Sequence, residues 1–182
     1  MPIKPNIVLI FPYRFLKNTY QRLEIEKYEK YCNVKILDLG NIISPEFSKP
    51  ITDIGIKGQN IKFLDTTQEL IIELNKLDSY DLILNQVGYD NLKGFLINVL
   101  IKRSKPRVVS FMNSGHALNK NNNIFYSLLG LMARRLCYFF IAPEYMLMAG
   151  RDYIQRGQKY LPSKTKILGG HSWEWSLSLI HI

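Results

Sequence analysis

The sequence predicts an α/β fold built on a mainly parallel sheet with helices on both faces, and three observations carry that expectation. Short apolar runs rich in β-branched residues recur along the 182-residue chain, as strands buried on both faces of a parallel sheet do. Segments of helical period, about ten to fifteen residues long, separate them, which is the spacing of right-handed βαβ crossovers. With 47% hydrophobic and 12% aromatic residues, the chain has enough apolar surface for a sizeable core.

Asn6 to Phe11 (NIVLIF) is the first predicted strand. A helix follows from Asn18 to Tyr31, with Tyr20, Leu23, Tyr28 and Tyr31 near one face and Glu24, Lys27 and Lys30 solvated. Val34 to Leu39 (VKILDL) is a second strand; the next twenty residues, with Pro45, Pro50, Gly55 and Gly58, read as an irregular excursion ending in a short strand at Asn60 to Leu64. Asp65-Thr66-Thr67-Gln68-Glu69 opens a helix, because an Asp or Thr oxygen caps free amides and Glu69 reaches back. It runs to about Leu77. Asp81 to Val87 (DLILNQV) is a strand, and Asn91 to Arg103 a helix with Leu92, Phe95, Leu96, Val99 and Leu100 inward. Pro106 opens the strand Arg107 to Met112. Asn123 to Leu136 reads as helix, Cys137 to Ala142 as strand, Met146 to Arg156 as helix and Thr165 to Leu168 as the last strand. The whole pattern is Rossmann-like.

Ile124 to Ala142 is long and apolar, but Arg134 and Arg135 fall inside it. Two arginines at a bilayer centre cost roughly 5 to 7 kcal/mol, so helix followed by strand is the expected form, with a peripheral contact by that helix as an alternative. No segment joins a basic start, an apolar stretch and a cleavage site, so secretion through a signal peptide is not expected and a cytoplasmic location is. Cys32 and Cys137 sit far apart in apolar or helical surroundings, and buried thiols are expected rather than a disulfide or a metal site.

The net charge of +9 is uneven. Met1 to Asn91 holds 11 Lys and Arg against 12 Asp and Glu, a balance of −1, whereas Leu92 to Ile182 holds 13 against 3, a balance of +10. The second half therefore suits an anionic partner: a membrane face, a phosphate-bearing substrate, nucleic acid, or an acidic protein surface. Nucleic acid is the weakest of these, since no recognition motif interleaves the basic residues.

Ligands of such sheets bind at the carboxyl ends of the strands, and that rule selects the loops to read. The chain has no Walker loop, no GxGxxG after the first strand, no paired Cys motif and no HExxH, which demotes nucleotide hydrolysis and dinucleotide binding and leaves no cofactor or metal expected. After the first strand come Pro12, Tyr13 and Arg14. Arg14 either holds a phosphate or carboxylate through bidentate hydrogen bonds or sits in a solvated loop, and Arg22 reads as a helix-surface partner of Glu26. Asn113-Ser114-Gly115-His116, after the Arg107 to Met112 strand, is the most site-like stretch. Its small polar residues allow close backbone approach, and the His116 imidazole transfers protons near neutral pH; the alternative is a capped turn with an exposed His. Glu144 reads as a base or a counter-charge, and Gly170 and His171 belong to the loop after the last strand.

Placed together, NIVLIFPYRF, the unit YQRLEIEKYEKYCNVKILDL, the basic helix before CYFFIAPE, and KILGGHS resemble the amino-terminal domain of a GT-B-type glycosyltransferase or of a bacterial surface-polysaccharide biosynthesis protein of that build. The resemblance spans nearly all of Asn6 to Ser172, as a pattern without a single diagnostic motif, and it lacks the Gly-rich loop that many relatives carry after the first strand. It implies an amino-terminal domain that receives a glycan or lipid-linked acceptor, with the nucleotide-sugar donor held by a second domain; the alternative expectation is a non-catalytic Rossmann-like binding protein whose basic half docks on an anionic membrane or an acidic partner. In that frame Tyr13, Arg14, Asn113, Ser114, Gly115, Glu144, Gly170 and His171 are the substrate-binding candidates and His116 is the candidate catalytic base. The expected organisation is an acceptor-side domain over residues 1–172, then the start of a linker at 173–182. Leu177 to Ile182 (LSLIHI) resembles the in-frame translation of a transposase mosaic-end sequencing adaptor, which makes this chain an expected fragment of a longer protein.

Overall fold

Seven strands form one sheet in the order β3-β2-β1-β4-β5-β6-β7, and every neighbouring pair is parallel. The computed structural model describes residues 4–45, 60–88, 92–112, 138–149 and 163–170. In chain order the elements are β1 Asn6–Phe11, α1 Lys17–Arg22, α2 Ile25–Glu29, β2 Asn33–Asp38, α3 Gly40–Ile43, β3 Ile61–Phe63, α4 Thr67–Asn75, β4 Leu82–Asn85, α5 Leu92–Arg103, β5 Arg107–Met112, β6 Tyr145–Ala149 and β7 Lys166–Gly170. This is the Rossmann-like α/β architecture that the apolar runs predict.

Alternation along β1 shows how the sheet is covered. Val8 and Ile10 pack with Leu37, Ile83 and Val108 under Leu70 and Leu74 of α4 and Ile97 and Ile101 of α5. Leu9 and Phe11 point the other way, packing with Val34, Ile36 and Phe15 under Tyr20 of α1 and Ile25 of α2. Successive side chains of a strand face opposite sides, so a strand covered on both must be apolar throughout. Each fully buried Ile or Leu contributes roughly 1.5 to 3 kcal/mol over leaving it exposed.

The helix expected over Asn18 to Tyr31 is two short helices, and geometry gives the reason. Leu23 and Ile25 both pack on the Leu9 face of the sheet, yet residues two apart in a continuous α-helix lie about 200° around its axis. Glu24 resets the phase by taking a left-handed conformation, φ 49°. Tyr20 Oη then donates to Glu29 across the break at 2.9 Å, while Tyr31, expected inward, is exposed. A non-glycine residue in this region costs about 1 to 2 kcal/mol, and Glu24 Oε2 is also buried without a partner. Glu24→Gly is accordingly expected to move the urea midpoint up by the equivalent of about 0.5 kcal/mol at unchanged slope, after the loss of the exposed pair with Lys27 and the extra freedom of the unfolded chain. A lower midpoint would refute the strain assignment.

Helix α4 starts as its sequence requires, with Thr66 Oγ1 accepting from Glu69 N at 3.2 Å and Glu69 Oε2 accepting from Asp65 N at 2.9 Å. Its inward face also carries Glu73, 2% exposed, whose carboxylate accepts from Lys35 of β2, Lys62 of β3 and Lys76.

Two other expectations are corrected. Tyr138 to Ile141 is a helical turn, closed by Ala142 N donating to Tyr138 O at 2.8 Å, instead of part of a strand. Tyr138 and Ile141 point inward while Phe139 and Phe140 are exposed, a three-residue spacing that a strand cannot provide. The strand is instead Tyr145–Ala149, where a helix beginning at Met146 was expected. YMLMA has no β-branched residue, and pairing with β5 and β7 on both sides overrides its helical propensity. The helix expected over Asn123 to Leu136 lies outside the described residues. Among those residues, no helix is long and apolar enough to cross a membrane.

Candidate functional site

The strand order reverses direction between β1 and β4, and at such a switch point the loops leaving the two carboxyl ends diverge and open a crevice. One wall is Pro12-Tyr13-Arg14 after β1; the other is Gln86-Val87-Gly88 after β4. Gln86 N donates to Ile10 O at 3.0 Å and Leu39 N to Phe11 O at 2.9 Å, so the loops emerge directly from the ladder.

The β1 wall is organised by Asp38, the last residue of β2 and 1% exposed. Its two oxygens accept from Phe15 N at 2.6 Å and Gly40 N at 2.8 Å, folding the β1 loop back over the end of β2. Burial pushes the Asp38 carboxyl above the usual carboxylate range, and the two backbone amides and the Arg14 guanidinium, 4.0 Å away, only partly offset it. Arg14 is neither a free ligand arm nor a solvated side chain. It is 15% exposed, donates to Asn41 Oδ1 at 2.7 Å, and lies over the Phe63 ring at 4.9 Å from its centroid. Asn41 in turn donates to Asp65. The Arg14 Nε is buried with no hydrogen-bond partner. Tyr13, 55% exposed, stands on the rim with its ring edge-on to Phe11.

Gly40 permits this closure. A Cβ there would lie 2.9 Å from Arg14 N and 3.2 Å from the Tyr13 carbonyl carbon, both backbone atoms that cannot swing aside. Gly40→Ala is expected to cost about 2 kcal/mol in a urea titration, and a midpoint within error of the parent would show that the rim loop has room to shift.

The β4 wall is held by an amide network. Asn98 of α5 donates through Nδ2 to the carbonyls of Val87 and Gly88 at 3.2 Å each and of Gly94 at 2.8 Å, and its Oδ1 accepts from Asn85 at 2.7 Å. Asn85 also donates to Ser110 Oγ at 3.2 Å and accepts from Val87 N at 3.0 Å. The network shifts the inward face of α5 from the expected one: Gly94, Ile97, Asn98 and Ile101 are buried, Leu100 packs partly against the core with Phe95 and Val99 half-buried, and Leu92 and Leu96 are exposed.

In comparisons with family models, with curated proteins and with solved structures, nothing matches this chain.

Of the residues expected to form the site, Tyr13 and Arg14 lie together on the crevice wall, and Gly170 ends β7 on the same carboxyl edge. Glu144 does not share that edge. It directly precedes Tyr145 at the amino end of β6, with its carbonyl accepting from Lys166 N at 2.9 Å, because the strand begins after Glu144 and not before it. Asn113, Ser114, Gly115, His116 and His171 lie outside the described residues. Among the described residues no group of three His, Cys, Asp or Glu side chains could hold a metal ion.

Asp38, Asn85 and Asn98 are the site-shaping residues that pattern reading passed over. Their signal was present: a carboxylate near the end of VKILDL, and amides interrupting DLILNQV and an apolar helix face. The described crevice thus offers an exposed aromatic ring, a pinned guanidinium and fixed backbone carbonyls and amides, which is the equipment for holding a polar ligand in place.

Proposed function

We propose that this domain is the acceptor-side half of a two-domain sugar transferase acting in cell-envelope polysaccharide assembly, the nucleotide-sugar donor being held by a second domain. The observation that carries this reading is the switch-point crevice closed by Pro12-Tyr13-Arg14, in an all-parallel sheet of order β3-β2-β1-β4-β5-β6-β7. A dinucleotide site at that position needs glycines that let a diphosphate reach a helix amino-terminus. Here Asp38 ties the loop backbone down instead, and no glycine stands between Phe11 and α1. A crevice of that kind favours a ligand held by side chains on the rim, as a glycan or lipid-linked acceptor is. Tyr13 gives a sugar ring a face to stack on, and Arg14 adds positive charge to the same loop.

In this reading an acceptor hydroxyl loses its proton to a base at the domain cleft, His116 being the candidate on this chain. The oxygen forms a bond to the anomeric carbon of the donor. The bond from that carbon to the nucleoside diphosphate breaks, and its electron pair leaves with the phosphate oxygen, stabilised by cations of the donor domain. The test is calorimetric titration of the complete gene product with uridine, guanosine, adenosine and cytidine diphosphates. Binding of one of them is expected, together with weaker acceptor turnover in Tyr13→Ala at an unchanged nucleotide affinity. Absence of heat with all four would overturn the proposal.

A further inference from the structure

Among the described residues, the amino-terminal edge of the sheet collects more positive than negative charge. Lys102 and Lys105 stand just before β5, Arg107 begins it, Lys164 precedes β7 and Lys166 begins it. Among the described residues none of these five cations enters an ion pair, whereas the acidic half pairs its lysines with Glu24 and Glu73. Lys102, Lys105 and Arg107 line a common cavity of about 220 Å³ with Ile141, Pro143 and Glu144. Lys102 is crowded enough that burial, and then the charge of Lys164, lower its pKa.

The cavity wall that supplies Ile141 is the helical turn carrying two exposed aromatics. Phe139 is 69% and Phe140 55% exposed, their rings edge-to-face at 5.4 Å. Tyr138 and Ile141 on the same turn are buried and anchor it. Thr165 Oγ1 donates to Pro143 O at 3.0 Å, tying the Lys164 turn to the same corner. Lys166 Nζ lies over the Tyr145 ring at 5.5 Å from its centroid. Neighbouring exposed phenylalanines beside cations that make no ion pair among the described residues form an amphipathic surface whose two halves match the acyl boundary and the phosphates of an anionic bilayer.

We propose that this corner is a docking surface for an anionic lipid bilayer, in which Lys105, Arg107, Lys164 and Lys166 face headgroup phosphates and Phe139 and Phe140 enter the acyl boundary. It is independent of the sugar-transfer reading. The crevice lies at the opposite ends of the strands, about 17 to 20 Å away for strands of this length, so a docked protein keeps the crevice open.

The experiment is co-sedimentation of the full chain with vesicles of pure phosphatidylcholine and with vesicles containing phosphatidylglycerol, at low and raised salt. Binding is expected only with phosphatidylglycerol, and weaker as salt rises. Neutralising Lys105, Arg107 and Lys164 to Gln should lower the partition coefficient about fivefold per cation, and Phe139→Ser with Phe140→Ser roughly tenfold. These side chains are exposed, so thermal unfolding followed by circular dichroism should match the parent. Failure of the parent chain to bind phosphatidylglycerol vesicles overturns the proposal. So does binding that inorganic phosphate abolishes and the phenylalanine substitutions leave intact, because the corner would then be a phosphate site alone.

Discussion

Asn98→Leu should lower the free energy of unfolding by about 2 to 4 kcal/mol, although leucine is close to asparagine in size and more apolar. Asn98 is buried, and the substitution removes the donor shared by three backbone carbonyls and the acceptor of Asn85. Gly88 is exposed and its carbonyl recovers water. The buried Val87 carbonyl and one Asn85 N–H do not, and each orphaned buried group costs about 1 to 3 kcal/mol, against which the added apolar contact recovers only part. Leu96→Ala, two residues earlier on the same helix, should cost less than about 1 kcal/mol, because Leu96 is 51% exposed. Urea unfolding of both variants checks the pair. Hydrogen exchange at Val87 and Gly88 adds a local readout: Asn98→Leu should speed it, since the β4 wall of the crevice loses its tie to α5. Equal costs for the two variants would mean that the amide network does not fix the helix.

That pair also marks the boundary of what hydrophobic pattern reveals. The strands β1 and β5 are legible to the residue, because NIVLIF and RVVSFM each combine β-branched with other apolar residues in one short run. The parallel order follows from the helices between them. Legibility fails where a polar contact or a distant strand decides. The inward face of α5 contains Asn98 rather than Leu96 because four hydrogen-bonding partners outweigh one more aliphatic contact, and periodicity counts only the latter. Glu24 breaks a helix whose composition favours continuity, because Leu23 and Ile25 must both reach the sheet. YMLMA becomes a strand only because β5 and β7 lie on either side of it. At the crevice, Tyr13 and Arg14 were accessible from the rule that ligands meet strand ends. The role of Arg14 as the partner of a buried carboxylate was not, since Asp38 is 24 residues away in sequence and meets it only across the β1–β2 pair.

Two of the buried carboxylates, Glu73 and Asp38, should respond to acid in opposite senses. For Glu73, burial alone would push the carboxyl up, but hydrogen bonds from Lys35, Lys62 and Lys76 outweigh it and bring its pKa down to about 2. Asp38 has one guanidinium at 4.0 Å and two amides, and burial prevails. A depressed folded-state value means that Glu73 contributes stability above the unfolded carboxylate pKa of about 4.3, and that this is lost as pH falls through about 2. The raised value of Asp38 makes its contribution largest below the unfolded value of about 3.9, and it is lost as pH rises through the folded one. Glu73→Gln is therefore expected to cost about 2 to 3 kcal/mol at pH 7, with the difference from the parent shrinking below about pH 5 and nearly gone near pH 2. Urea midpoints at stepped pH measure it. The ammonium groups remain half in solvent, so they rehydrate when the carboxylate is removed, which keeps the cost below that of stranding a buried charge. A parent-minus-variant difference that stays constant from pH 7 to pH 3 would show that the three lysines do not hold Glu73 ionised, and that α4 is fixed to the β2–β3 edge by its leucines alone.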